Sequence, residues 1–286
     1  MDIVPMPEAK SIEEIEQEEQ HHQEFLDKRK ILEYKHHLYP EVNKRCKDFI
    51  QKWGDSTKEP TRADTEHAQG RLEEDFEDAN TIIDNTRLPW VPVNISVPWK
   101  DIWLEARHLL YTECFTPHRT DGSAGWLSLC IHGMSSVHTN CAEDYNLPDE
   151  AEEELSEWTD IAKFCPITVE WMKDAMLYEQ FTRVRFMCVL PGGWIEPHRD
   201  TDKVAGLGAT NVAINNPDGC RLIMEQYGEL PFTPGSVFKI NTGYNHMVYN
   251  DSNEPRFHMI FDGRPDDTFK RKVNTQYNWM FDKKKK

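Results

Sequence analysis

The sequence predicts a mainly β chain, a sandwich or barrel of short strands behind a helical N-terminal extension. Three observations lead there. Between Phe181 and Asp262 apolar residues recur with period two in six short segments, the alternation of strands that bury one face. Gly, Pro and Asn turns separate those segments. Residues 1–85, by contrast, are nearly free of glycine and dense in Glu, Gln, Lys, His and Asp. With 286 residues and 38% hydrophobic content the chain has material for one core and an appendage. Residues 86–286 are assigned to the core domain, and 1–85 to an acidic extension, helical or partly disordered.

In the extension, Ile12, Ile15, Phe25, Leu26, Ile31, Leu32 and Leu38 recur at loosely helical intervals among charged residues. Pro40 breaks or restarts the helix, and Val42 to Trp53 reads as a second one ending at Gly54. Asp55 to Asn85 has too little apolar content for a core of its own and reads as a linker or surface segment. His21-His22 and His36-His37 invite a metal reading, but adjacent helical positions diverge by about 100° and do not chelate together. From Leu88 the chain turns extended (LPWVPVNISVPW), then helical (DIWLEARHLL), then to a short apolar strand, WLSLCIH. DEAEEELSEWTDIA reads as an acidic surface helix, and PITVEWMKDAM as a helix with Pro166 just inside its start. The strands are FTRVRFMCVL, TNVAI, CRLIMEQ, SVFKI, HMVYN and RFHMIFD. Arg183 and Arg185 share one face of the first, and ion pairs are expected for both. The closing KKKK is a solubilising tail.

Composition narrows function. A formal net charge of −17 and an isoelectric point near 5.1 set most of the surface against phosphate backbones and anionic lipid. Neither nucleic acid nor membrane is an expected partner. No apolar run approaches the ~18 residues that span a bilayer, and MDIVPMPEAK lacks the basic and apolar regions of a signal peptide. The seven cysteines (Cys46, Cys114, Cys130, Cys141, Cys165, Cys188, Cys220) are scattered, odd in number and free of CxxC pairs. That is the usage of a reducing, cytoplasmic setting, with the thiols serving as small buried hydrophobes.

One stretch concentrates the chemistry. PHRD, NTGYNHMVYN and EPRFHMIFDG supply His198, Asp200, His246 and Arg256. On a strand, His198 and Asp200 face the same side while Arg199 points away. His246 follows 48 residues on (246 − 198 = 48), on the second of two strands joined at Asn241-Thr242-Gly243. Arg256 lies 10 residues further (256 − 246 = 10), past a turn of Asp251, Ser252, Asn253 and Pro255. Two imidazoles and a carboxylate are the donors of a facial triad, which holds non-haem Fe(II) and leaves positions open for a co-substrate and O₂. Zn(II) or another cupin-type metal suits the same donors but gives no reason for the arginine. A guanidinium forks onto a carboxylate, a pair worth about 1.5–3 kcal/mol where partly desolvated; an ordinary ion pair is its plain alternative. His258 shares the side of Arg256, as a supporting neighbour or a satisfied core histidine.

FTPHRTDGSAGWLSLCIHG, residues 115–133, is turn-rich and lies outside the six strands. A loop with basic and aromatic residues is where a β-scaffold builds a substrate pocket, so Arg119 and Trp126 are candidate substrate-binding residues. Arg119 would meet an acidic group of the substrate. The alternative is that His118 and Arg119 anchor the loop against the acidic helix from Asp149 to Asp160.

The block from about Phe181 to Pro265 resembles the aspartyl/asparaginyl β-hydroxylase-like branch of the Fe(II)/2-oxoglutarate-dependent oxygenases. An H-x-D/G pair, a distal His and an Arg ten residues after it are the signature of that branch. PGGWIEPH is similar to its approach to the first metal ligand, and SVFKINTGYNHMVYNDSNEPRFHMIFD to its C-terminal strands. The resemblance implies a double-stranded β-helix, a cupin-like jelly-roll, with a metal-binding core at about 181–265. His198, Asp200 and His246 would be catalytic iron ligands, and Arg256 would hold the distal carboxylate of the co-substrate 2-oxoglutarate. Relatives use an Arg and a His of the middle strand as further anchors; here GATNVAIN offers Asn211. The implied reaction consumes O₂ and 2-oxoglutarate, releases succinate and CO₂, and hydroxylates an amino acid, a peptidyl side chain or a small metabolite. Halogenating relatives lack the carboxylate, so Asp200 points to hydroxylation. A cupin-type isomerase or hydrolase and a noncatalytic jelly-roll binding protein are the alternatives from other classes.

Overall fold

The computed structural model describes Gln20 and residues 40–60, 82–84, 86–119, 122–137, 142, 146–148, 150–202, 204 and 206–281. The proposed helix before Pro40, the His21-His22 and His36-His37 pairs, most of the acidic linker and the KKKK tail lie outside the described residues.

The helices are α1 (Pro40–Trp53), α2 (Trp99–Tyr111), α3 (Glu150–Leu155), α4 (Pro166–Ala175) and α5 (Asp267–Phe281). The strands are β1 (Trp90–Pro92), β2 (Thr116–Pro117), β3 (Ser123–Gly133), β4 (Glu157–Trp158), β5 (Tyr178–His198), β6 (Thr210–Ala213), β7 (Cys220–Met224), β8 (Gly228–Glu229), β9 (Val237–Ile240), β10 (His246–Asn250) and β11 (Arg256–Pro265). They form one antiparallel sheet in the order β1-β9-β6-β11-β5-β10-β7-β8, with β3 also on β5 and flanked by β2 and β4. The sheet curls into a half-barrel of double-stranded β-helix, jelly-roll type, as the resemblance implied.

The curl depends on β5. The apolar alternation of FTRVRFMCVL marks only its first half; the strand continues through Pro191-Gly192-Gly193 to His198, 21 residues in all. Up to Val189 it pairs with β11, whereas from Trp194 it pairs with β10. The change of partner falls at the Pro-Gly-Gly segment. Gly192 has φ +74°, the left-handed region that favours glycine, and a Cβ on Gly193 would lie 2.8 Å from the carbonyl oxygens of both Ala124 and Leu190.

Alternation then sorts the side chains. On β11, Phe257, Met259 and Phe261 enter the main core with Phe186, Leu109, Trp171 and, from α5, Phe269 and Val273. His258, Ile260 and Asp262 face the interior of the curl. Below that interior, Val189, Phe232, Phe238 and Ile240 form a second apolar cluster. A third lies on the outer face, where Cys46 and Phe49 of α1 meet Trp194, Ile223 and Met247.

Four local readings change. DEAEEELSEWTDIA is not one helix: α3 stops at Leu155, Glu157 and Trp158 pair with β3 as β4, and a 3₁₀ turn spans Asp160–Phe164. Trp158 packs edge-on against His132 at 4.9 Å, and Thr159 Oγ1 donates to the Cys130 carbonyl, so tertiary contacts override a helical composition. The expected strand WLSLCIH is part of β3, which begins earlier, at Ser123, so the end of the expected loop also pairs along β5. Ile82 and Ile83, inside the expected linker, are buried in the main core. The sequence reading also passed over α5, although Phe269, Val273 and Tyr277 stand at helical spacing and are buried.

Among the described residues no helix is long and apolar enough to cross a membrane. The six described cysteines are unbridged, and all but Cys114 are buried.

Gly193→Ala is expected to destabilise the fold by about 1–3 kcal/mol, the usual range for overpacking. A denaturant midpoint equal to wild type would show that the bend does not need this glycine.

Candidate metal centre and cavity

The partner change in β5 sets His198 directly opposite His246 on β10. Their rings lie 4.4 Å apart, centre to centre. Asp200 is off the ladder, just past the end of β5, where its N–H donates to the Thr242 carbonyl at 3.1 Å. The three side chains still converge: one ligand atom from each lies within 4.8 Å of the others. Arg199 leans away to Glu225, at 2.9 Å.

Backbone carbonyls orient both imidazoles. His198 Nδ1 bonds the Glu196 carbonyl at 2.8 Å, and His246 Nδ1 bonds that of Tyr244 at 2.9 Å. With Nδ1 as donor, each Nε2 carries the lone pair a metal requires. Burial works against charge on Asp200, but its contact with His198 Nε2, at 3.3 Å, and the nearby His246, His198 and Arg119 outweigh it and hold its carboxyl at about 2; the proton that Nε2 shares with Asp200 is the one a metal displaces. Burial likewise lowers His198, yet Asp200 and the Glu196 carbonyl leave it raised overall. His246 is lowered by burial and by His198, which favours the neutral, ligating form. Two imidazole nitrogens and an ionised carboxylate on one side of an open space fit Fe(II).

The centre opens onto a cavity of about 440 Å³. Its wall carries Arg119, Arg183, Arg185 and Arg199 with Asp200 and Asp262, a concentration of arginine in a chain of net −17. Both expected ion pairs form: Arg183 and Arg185 each reach Asp262 Oδ2 at 3.3 Å, and Arg183 also meets Glu152 of α3. Asn211 is buried on the wall, with Nδ2 on the Ala209 carbonyl at 3.1 Å. Trp126 of β3 is half-buried there, edge-on to His118 at 4.4 Å. Arg119 is exposed at the rim and makes no ion pair among the described residues.

Arg256 lies deeper than expected. It is fully buried and does not line the cavity; His258, which does, takes its Nη1 through Nδ1 at 3.0 Å. The guanidinium lies over the Phe232 ring, and its Nε and Nη2 have no hydrogen-bond partner among the described residues. Burial depresses its basicity. A buried guanidinium lacking both carboxylate and full hydrogen bonding is costly, so its orphaned donors are suited to an incoming anion.

Sequence reasoning set His258 on the side of Arg256 and His118 in the candidate pocket loop, and both line the cavity; it missed Asp262. Period two carried on from His258 would have found Asp262, and His118 is brought to the wall by β2 pairing with β3. Burial, then Arg185, Arg119 and Arg183, push His118 down to about 3, and burial and Arg256 push His258 well below the ordinary range. Both are neutral at physiological pH.

A curled jelly-roll with His, Asp and His at its mouth is the build of the Fe(II)/2-oxoglutarate oxygenase superfamily. Residues 96–265 match the aspartyl/asparaginyl β-hydroxylase family model, and the chain belongs to that family. Similar solved structures include a Pseudomonas putida prolyl-4-hydroxylase, with 13% identity, 65% of this chain and 97% of that one covered, and a TM-score of 0.36. A Burkholderia pseudomallei 2OG-Fe(II) oxygenase family oxidoreductase has 11% identity, 73% and 93% covered, and a TM-score of 0.39. No curated protein matches the chain.

Because protons compete with metal for the imidazoles, Co(II) affinity is expected to fall as pH is lowered from alkaline to acid, with His198 protonating before His246. Its raised basicity means metal is lost as pH drops through the His198 value. Isothermal titration across that window checks this, and a flat affinity would exclude histidine ligation.

Proposed function

We propose that the protein is an Fe(II)- and 2-oxoglutarate-dependent hydroxylase acting on an amino acid, a peptidyl side chain or a small metabolite. The supporting observation is the convergence of His198, Asp200 and His246 beside a cavity backed by a buried arginine with orphaned donors. In this reading the three residues hold Fe(II), which with 2-oxoglutarate and O₂ supplies the oxidising chemistry and releases succinate and CO₂. Asp200 occupies a ligand position that halogenation would need open.

Arg256, with His258 in front of it, anchors the distal carboxylate of 2-oxoglutarate. Neutral His258 presents an imidazole fixed by Arg256 Nη1, and Asn211 adds a polar contact on the neighbouring strand. The cationic wall draws anionic ligands into the cavity against the chain's overall charge. Arg119 receives an acidic group of the substrate and Trp126 forms an aromatic wall. Support for Arg119 comes from α3, whose Glu152 pairs with Arg183 while Arg119 has no described counter-ion. Residues 86–286 form the catalytic domain, 1–85 its extension, and unbridged cysteines suit a cytoplasmic setting.

Succinate formation dependent on both iron and 2-oxoglutarate tests the reading. His198→Ala is expected to lose most bound iron and all turnover; wild-type iron content and activity in that variant would place the centre elsewhere. Arg256→Ala is expected to raise the KM for 2-oxoglutarate at least tenfold, about the loss of one charge-assisted hydrogen bond, with iron content unchanged. An unchanged KM would remove Arg256 as the anchor. Arg119→Ala is expected to weaken substrate affinity at constant melting temperature, whereas a lower melting temperature with unchanged affinity would make Arg119 structural.

A further inference from the structure

We infer that residues 40–56 are a working part of the metal centre, with Arg45 a positioning residue that acts on His198 through Glu196. The inference rests on His198, Asp200 and His246 being the metal ligands.

The segment lies across the outer face of the strands that carry both histidines. Cys46 and Phe49 of α1 pack on Trp194, Ile223 and Met247. Met247 adjoins His246 and is paired with Ile223, while Trp194 is opposite Tyr249 on β10. The far end of the segment is also fastened. Ser56 Oγ donates to the Gln226 carbonyl at 2.6 Å, and the Arg221 guanidinium donates to the Gly54 carbonyl. Gly228, with φ +82°, permits this approach, since a Cβ there would fall 2.0 Å from the Ser56 carbonyl oxygen.

The connection to chemistry is Glu196. Its carbonyl accepts the His198 Nδ1 hydrogen bond, the contact that turns Nε2 toward the metal. Its N–H donates to the Gly122 carbonyl at 2.8 Å. Its carboxylate takes Arg45 Nε at 2.9 Å, and Arg45 Nη2 meets the same oxygen. Gly122, with φ +70°, leaves space that a Cβ would take from that carboxylate, 2.0 Å from Oε1. Glu196 is thus held at carbonyl, amide and side chain, and one of the holds comes from a helix some 150 residues earlier in the chain (196 − 45 = 151).

Arg45 is half-exposed, so the pair adds little to global stability and its effect is local ordering of the ligand strand. Co(II) titration of the metal-free full chain, followed by visible d–d absorption alongside thermal melting, separates these effects. Arg45→Glu is expected to weaken Co(II) binding about three- to tenfold, less than the 10–100-fold typical of a direct partner of a ligand. Arg45→Lys should recover part of the loss. Lys52→Glu makes the same charge change on the same helix without touching Glu196 and should bind Co(II) as wild type does. The inference is overturned if Arg45→Glu binds Co(II) with wild-type affinity, or if Lys52→Glu weakens binding equally. It is overturned too if the loss tracks a melting temperature lowered below that of Lys52→Glu. Failure of the wild type to bind Co(II), or wild-type binding by His246→Ala, would instead defeat the triad assignment itself.

Discussion

The bend in β5 is the constraint on which the site depends. A straight strand would keep β11 as its partner and carry its C-terminal end away from β10. Crossing at Pro191-Gly192-Gly193 allows a single strand to serve both wings of the sheet, with Arg183 and Arg185 on one side of the cavity and His198 on the other. Proline contributes the missing ladder donor and glycine the positive φ and the close approach, which is why the segment looks like a turn in sequence yet remains in the sheet. Metal donors, cationic wall and buried arginine are therefore fixed relative to one another by backbone pairing along β5, β10 and β11.

Electrostatics follows from that placement. The chain is strongly acidic, but the inward face of β5 carries Arg183 and Arg185, and Arg256 of β11 lies beneath the cavity without a carboxylate. Burial of an uncompensated guanidinium opposes folding, and a sequence free to optimise stability alone would replace it with an apolar side chain. Its position behind a buried, neutral His258 makes sense when an anion completes the group.

The cluster of His198, Asp200 and His246 was legible because their spacing is a property of chain order: HxD, a distal His and an Arg on a later strand. Strand identity was legible for the same reason, since period two is written locally from Phe181 onward. What stayed hidden depends on distant pairing. Asp200 leaves the strand because Thr242 captures its amide. Trp158 breaks an acidic helix to pack on His132, and β3 joins the sheet because β5 is long enough to receive it. Arg256 was recognised in sequence, but its depth was not, because depth depends on which neighbours cover a side chain and not on its own position in the alternation.

His198 and His246 belong to adjacent strands, yet the chain between them makes the entire circuit through β6, β7, β8 and β9. A cation held by both rings and Asp200 would close that circuit as a removable cross-link. Like any ligand that binds only the native state, it would make resistance to unfolding rise with the logarithm of the free ion concentration. With the triad loaded, the durability of this half-barrel would be tied to the metal supply of its surroundings.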